Sequence, residues 1–378
     1  MASFALAVAR LNGRCRARIL HALENENFIE EVRMRFTKLI LGVVGVGAMA
    51  VAVGAAGCSS SSGGAAGSTT TSTGGSTTTS SGGCALKATC TQAVDKTCVG
   101  LVSNKGQTTF GLRMAELDVT SPAALTSGVV KSVVAGAVGL DLPNCNLNGT
   151  ATFSWLLEFD TTAMTLKTGG AKPVTDPTMG YSFDDEMITQ GANTFHVQPI
   201  TYPNITIDPS GKFSVTTGQD LIVPIFLNNA GTSSVLLPIH QAVLTNGTLS
   251  SNNDCIGSYN AAGLEPANSC NPDGTHPQFI DAASLAGYIT LEEADGVIIS
   301  SLNQSLCYLL AGSAQYGTTN AAGVTVCART GGDGGADSGT ITYQGHWCST
   351  TNMAATASCA DSEQLQGNFA ASSVKINN

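Results

Sequence analysis

Ala151-Thr-Phe-Ser-Trp-Leu-Leu-Glu-Phe159 is the stretch that decides the fold class. Every odd position in it is apolar. A period of two puts Phe153, Trp155, Leu157 and Phe159 on one face of a β-strand. Leu221, Val223, Ile225 and Leu227 repeat the pattern, as do Val235, Leu237, Ile239 and Val243, with Gln241 interrupting. Pro224 and Pro238 lack the backbone donor that a ladder needs, which predicts that both runs are edge strands. Turn sequences separate the runs: Asp208-Pro-Ser-Gly211, Asn228-Asn-Ala-Gly231 and Asn246-Gly247. Residues 109–117, 195–200, 212–216 and 340–343 read as further strands. Many strands joined by short polar turns predict a mainly β chain, an antiparallel β-sandwich or barrel-like domain.

Two segments carry helical spacing instead. Ser121-Pro122 reads as a helix start, with proline at the first helical position. Leu125, Val129, Val133, Val134 and Val138 then recur at helical intervals, predicting a helix over 122–138. Thr290-Leu-Glu-Glu293 is a capping box. Leu291, Ala294, Ile298, Leu302, Leu306 and Leu309 form one stripe behind it and Gly312 ends it, predicting a helix over 291–311. The chain therefore divides into a β-rich part, 84–250, and a cysteine-rich part, 251–378, that reads as its continuation or as a second lobe.

Ten cysteines lie in these two parts: Cys84, Cys90, Cys98, Cys145, Cys255, Cys270, Cys307, Cys327, Cys348 and Cys359. An even number in an exported chain predicts a disulfide framework with all ten oxidised. Short separations suggest Cys255–Cys270, Cys307–Cys327 and Cys348–Cys359 as pairs. There is no C-x-x-C, and no histidine stands at zinc-ligand spacing from a cysteine pair, so no metal or other cofactor is expected.

Export itself is read from Met34-Arg-Phe-Thr-Lys-Leu-Ile-Leu-Gly-Val-Val-Gly-Val-Gly-Ala-Met-Ala-Val-Ala-Val-Gly-Ala-Ala-Gly-Cys58. Arg35 and Lys38 precede an uncharged stretch, and Ala55-Ala56-Gly57-Cys58 stands where a lipobox would. The segment resembles the signal peptide of bacterial lipoproteins. That resemblance implies removal of 34–57, a lipid on the Cys58 sulfur, membrane attachment through that lipid, and a place in the cell envelope. Ser59 offers no acidic retention signal, which points to the outer membrane. Residues 59–83 contain only Ser, Thr, Gly and Ala and read as a disordered stalk. Residues 1–33 mix four arginines with four glutamates before Arg33, unlike a signal peptide, and read as an extension ahead of a start at Met34.

Seven of the 17 basic and four of the 27 acidic residues precede Cys58, leaving the mature chain at a formal net charge of −13. Phosphate backbones would repel such a chain, so nucleic acid is not an expected partner. Chemistry-bearing motifs are sparse. Neither G-x-S-x-G nor H-E-x-x-H occurs. Asp184-Asp185-Glu186 is the densest acidic cluster and the weak candidate for a cation, against a solvated turn. Gly287-Tyr-Ile-Thr-Leu-Glu-Glu293 has the second half of an EF-hand loop without the first, so the helix cap is preferred. Gly331-Gly-Asp-Gly-Gly-Ala-Asp-Ser-Gly339 reads as a loop. His240 sits inside an apolar strand and reads as structural, while His346-Trp347-Cys348 reads as packing beside a disulfide.

The stretches 153–160, Lys167-Thr-Gly-Gly-Ala-Lys-Pro173, Cys255-Ile-Gly-Ser-Tyr-Asn260 and 288–295 resemble uncharacterised predicted lipoproteins of myxobacteria, a resemblance that implies no activity. The sequence thus predicts a lipid-anchored, non-catalytic binding domain with a protein or glycan partner. Its rival is an exported hydrolase whose site gathers Asp184, Asp185, Glu186 and His196.

Overall fold

Period-two alternation is realised as one antiparallel sheet that nearly closes on itself. The computed structural model describes residues 86–377, apart from 127–130, 132, 133, 135, 143, 144, 146, 148, 191, 192, 266–270, 273–276, 301 and 332–338. The signal peptide, Cys58, the stalk, Cys84, Cys270, His276 and most of the loop after Gly331 lie outside the described residues. The principal strands are β1 (Thr109–Ser121), β2 (Ser154–Asp160), β3 (Thr165–Ala171), β4 (Glu186–Gln190), β5 (Asn193–Val197), β6 (Ile200–Pro203), β7 (Lys212–Phe226), β8 (Ser234–Thr248), β9 (Ala283–Thr290) and β10 (Ser362–Ser373). The main sheet runs β6-β3-β2-β1-β10-β9-β8-β7. β4 and β5 form a separate hairpin. The last strand, β10, pairs between β1 and β9, so the C-terminal segment supplies the middle of the sheet.

The two ends of the path meet. Gln219 Nε2 on β7 donates to Thr201 O on β6 at 3.2 Å, and Tyr202 OH donates to Ala242 O at 2.7 Å. A Cβ at Gly170 of β3 would stand 2.5 Å from Pro224 Cδ of β7. Glycine is therefore required where the wall closes. The enclosed face is apolar: Phe110, Leu112, Met114, Trp155, Leu157, Phe159, Val223, Ile239, Leu285 and Phe369 share one buried cluster. Among the described residues an apolar cavity of about 30 Å³ lies inside it, so the interior is a packed core and not a lumen.

A second cluster covers the outer face of β1, β2 and β10. Leu156, Ala115 and Ala370 meet Val99, Leu101, Leu140, Leu142 and Tyr181 there. The segment before β1 is tied down by Leu101 N donating to Ser373 O at 2.8 Å and by the Cys98–Cys255 bridge. Cys90–Cys145, Cys307–Cys327 and Cys348–Cys359 are the other bridges among the described residues. Two of the three expected local pairs occur. Cys255–Cys270 does not, because Cys255 lies against β10 and faces Cys98 across the covered face.

The first helix expectation is corrected at its start and the second in its middle. Pro122 is extended, follows a cis peptide bond and only precedes a 3-10 turn, Ala123–Leu125. Helical backbone is described at 131, 134 and 136–138. The long stripe 291–311 is two short helices, α1 (Leu291–Gly296) and α2 (Leu306–Ala311). Between them Val297-Ile-Ile299 favours extended backbone, Ile298–Ile299 pairs with Gln304–Ser305, and Asn303 turns the chain at φ 54°. Ser305 caps α2 afresh by accepting from Tyr308 N. The proline expectation holds for β7, which is an edge. β8 is internal, yet its ladder to β9 stops at His240, so Pro238 has a neighbour only on the β7 side.

Candidate functional site

Three irregularities share one row of the sheet. β7 shifts register between Val215 and Leu221, β8 carries Gln241 at φ 49°, and β9 shifts between Ala286 and Tyr288. Bulges bend a strand and re-aim its side chains. Here Gln241 N donates to Asp220 Oδ1 at 2.9 Å, locking the bulge of β8 onto β7. A Cβ at Gly287 would lie 2.6 Å from Ile239 Cγ2, so close strand approach demands glycine at that point.

The row opens into a cleft of about 210 Å³ lined by His196, Gln198, Ile200, Asp220, Ile222, Pro238, His240 and Glu293, among others. His240 is its centre. Its Nε2 lies 2.5 Å from Glu293 Oε2 and its Nδ1 lies 3.2 Å from Asp220 Oδ2. The ring stacks on Tyr288 at 5.4 Å. Glu293 is presented by α1: Thr290 caps that helix by accepting from Glu293 N, and its hydroxyl donates to Glu293 Oε2 at 2.6 Å. The N-cap expected from the sequence forms, with the Glu293 carboxylate accepting from the Thr290 hydroxyl, and the carboxylate that an EF-hand would need is engaged by His240 and Thr290.

The hydrogen bond to Glu293 pushes the His240 pKa up to about 9, against burial and with help from Asp220. Burial would raise Glu293, but the bonds from His240 and Thr290 hold it below the usual carboxylate range. At neutral pH His240 is therefore an imidazolium with both nitrogens on carboxylates. It joins β7, β8 and α1, and it has no lone pair with which to accept a proton. Its folded pKa exceeds the unfolded 6.5, so its stabilisation is complete below about pH 6.5 and is lost as pH rises through about 9. The melting temperature of the wild type should fall between pH 7 and pH 10, and less so in His240→Gln. Parallel curves for the two proteins would show that another group titrates.

The predicted acidic cluster is brought to the same side of the chain's chemistry only in part. His196 Nε2 lies 2.8 Å from Asp185 Oδ1 on the cleft rim. Glu186 and Asp184 turn instead to Lys172, at 2.6 and 3.9 Å. Asp184 is raised by burial and then by repulsion from Glu186. Elsewhere His346 Nδ1 and Tyr343 OH both meet the buried Glu363 Oε1, at 2.9 and 2.6 Å. Asp295, Cys307 and Cys327 stand close enough to hold a metal ion, but the two sulfurs form a disulfide and Asp295 takes hydrogen bonds from Ser305, Cys327 N and Arg329. Burial first, then neighbouring carboxylates, push Glu116 to about 7 and Asp281 to about 6.

Sequence reading found His196, His240 and Glu293 but did not join them, and it missed Asp220. The break in alternation at Gln241 was the available signal, because it marks the bulge that aims His240 at Asp220. Comparison of the chain with protein-family models, curated proteins and solved structures finds no match.

Proposed function

We propose that the chain is an exported lipoprotein, held to the cell envelope by a lipid on Cys58, whose barrel-like domain is a binding module with the His240 cleft as its ligand seat. The observation that carries the exported part is the Cys98–Cys255 bridge, which joins positions 157 apart and is one of four among the described residues. Such frameworks persist in oxidising compartments. The lipid attachment rests on the lipobox ending at Cys58. No helix among the described residues is long and apolar enough to cross a membrane.

Binding is preferred over hydrolysis on the state of His240. The cleft does collect two histidines and two carboxylates, and this favours the hydrolase as the second reading. Yet an imidazolium held at both nitrogens with a pKa near 9 is neither a base at neutral pH nor a ready acid. Asp220 and Glu293 are arranged around that cation. The same groups suit a polar cleft that orients a protein or glycan ligand of the envelope.

Lipid attachment has a direct test. In cells fed an alkyne fatty acid, the wild type should take up label and fractionate with membranes. Cys58→Ala should take up none and move to the soluble or precursor fraction. Equal labelling of the two proteins would remove the anchor from the proposal.

A further inference from the structure

Five methionines lie among the described residues, and four of them are on the surface. Met164 is 45 % exposed, Met179 68 %, Met187 63 % and Met353 64 %, whereas Met114 is fully buried. Methionine is ordinarily among the most buried residue types. Here it accounts for more than half of the exposed large hydrophobic side chains, the others being Val94, Leu227 and Ile280. None of the four belongs to either apolar cluster or packs against one. They stand on unrelated elements. Met164 occupies a left-handed position, φ 55°, in the turn between β2 and β3. Met179 ends the 3-10 turn Pro177–Met179. Met187 faces His196 across the β4–β5 ladder. Met353 pairs with Cys348, whose sulfur is bridged to Cys359. Packing does not explain a thioether at any of these places.

We infer that these four side chains are modification sites at which the domain consumes hydroperoxides. In each event a sulfur lone pair attacks one peroxide oxygen and the O–O bond breaks. The departing hydroxide takes up the remaining proton and leaves as water. One thioether becomes a sulfoxide, oxidised by two electrons, and one hydrogen peroxide is reduced to water. The described cysteines are all bridged and offer no competing thiolate. A sulfoxide is polar, and in a core it disrupts packing. At these four positions it faces water, so the fold has no reason to yield.

The purified mature chain, which begins at Cys58 and so lacks Met1, Met34 and Met49, should be treated unreduced with hydrogen peroxide and followed by peptide mass spectrometry. Met164, Met179, Met187 and Met353 should each gain one oxygen at least about tenfold faster than Met114. Peroxide consumption in this phase should equal the sulfoxide formed, and the melting temperature should stay within a few degrees of the untreated protein. A variant with all four changed to leucine should fold alike and lose that phase. Oxidation of Met114 in step with the other four would overturn the inference. So would unfolding in proportion to sulfoxide, or peroxide consumption that survives in the leucine variant.

Discussion

Arg113→Met should remove most of the domain's stability, although Arg113 does not line the cleft. Its side chain is fully buried in β1, on the outer face of the sheet. Nε donates to Ser154 Oγ at 3.0 Å, and Nη1 donates to Met114 O and Val138 O, both at 2.9 Å. Nη2 donates to Phe153 O at 2.9 Å, and the Tyr181 ring lies 5.6 Å from the guanidinium carbon. Burial pulls its pKa below the usual guanidinium value, yet arginine stays charged in proteins. Four acceptors from β1, the start of β2 with the residue before it, and the helical stretch 136–138 thus converge on one fork. Methionine fills much of the same space and donates nothing. Each buried acceptor left alone costs about 1–3 kcal/mol, so three carbonyls together approach a typical stability of about 5–15 kcal/mol. Among the described residues no carboxylate pairs with the arginine, so the relief that follows replacement of a whole buried ion pair is absent. Arg113→Lys should rescue little, because a point ammonium cannot serve four acceptors spread around a planar fork. Urea unfolding is the measurement. A loss of under about 1 kcal/mol in Arg113→Met would mean that water reaches those carbonyls and that the fork is dispensable.

Arg113 also shows where the sequence stops being legible. In β1 the residues Phe110, Leu112 and Met114 alternate with Gly111, Arg113 and Ala115. Period two places the arginine on the outer face correctly, and a lone strand would then put it in water. What buries it is the second cluster, built from residues before β1 and around 140–145 that carry no periodic pattern. The same logic separates successes from failures elsewhere. Phe153, Trp155, Leu157 and Phe159 fall inside the barrel because one strand's alternation is a local property. The stripe over 291–311 fits a helix equally well by spacing, but Val297-Ile-Ile299 and a fresh cap at Ser305 break it. Those local signals were present and were outweighed by periodicity. The cleft was less legible still. His240, Asp220 and Glu293 meet only because β7, β8 and α1 meet, and strand order is not written in any one segment.

Removing the Cys98–Cys255 bridge should have the second large effect, and it separates the bridges by the length of chain each one closes. In the chain-entropy description a cross-link stabilises by restricting the unfolded state, and more so for a longer loop. Cys98 and Cys255 are 157 positions apart, Cys348 and Cys359 only 11. The same relation gives roughly 5 kcal/mol for the first and about 3 kcal/mol for the second. The native contacts point the same way. Cys98–Cys255 fastens the segment before β1 across β10, where Ser372 Oγ donates to Cys98 O and Asn104 N donates to Asp254 Oδ1 at 2.6 Å. Without it, the cover over Arg113 is held at one fewer point. Cys348–Cys359 closes a short exposed hairpin beside Trp347. The double variant Cys98→Ser/Cys255→Ser should therefore melt roughly 10–20 °C below the wild type, and Cys348→Ser/Cys359→Ser by clearly less. Unreduced wild type should resist alkylation at all eight bridged cysteines. Equal losses in the two double variants would show that loop length does not govern the contribution. Alkylation at Cys98 or Cys255 in the folded, unreduced protein would show that the long bridge does not form, and the structural case for an oxidising compartment would lose its main support.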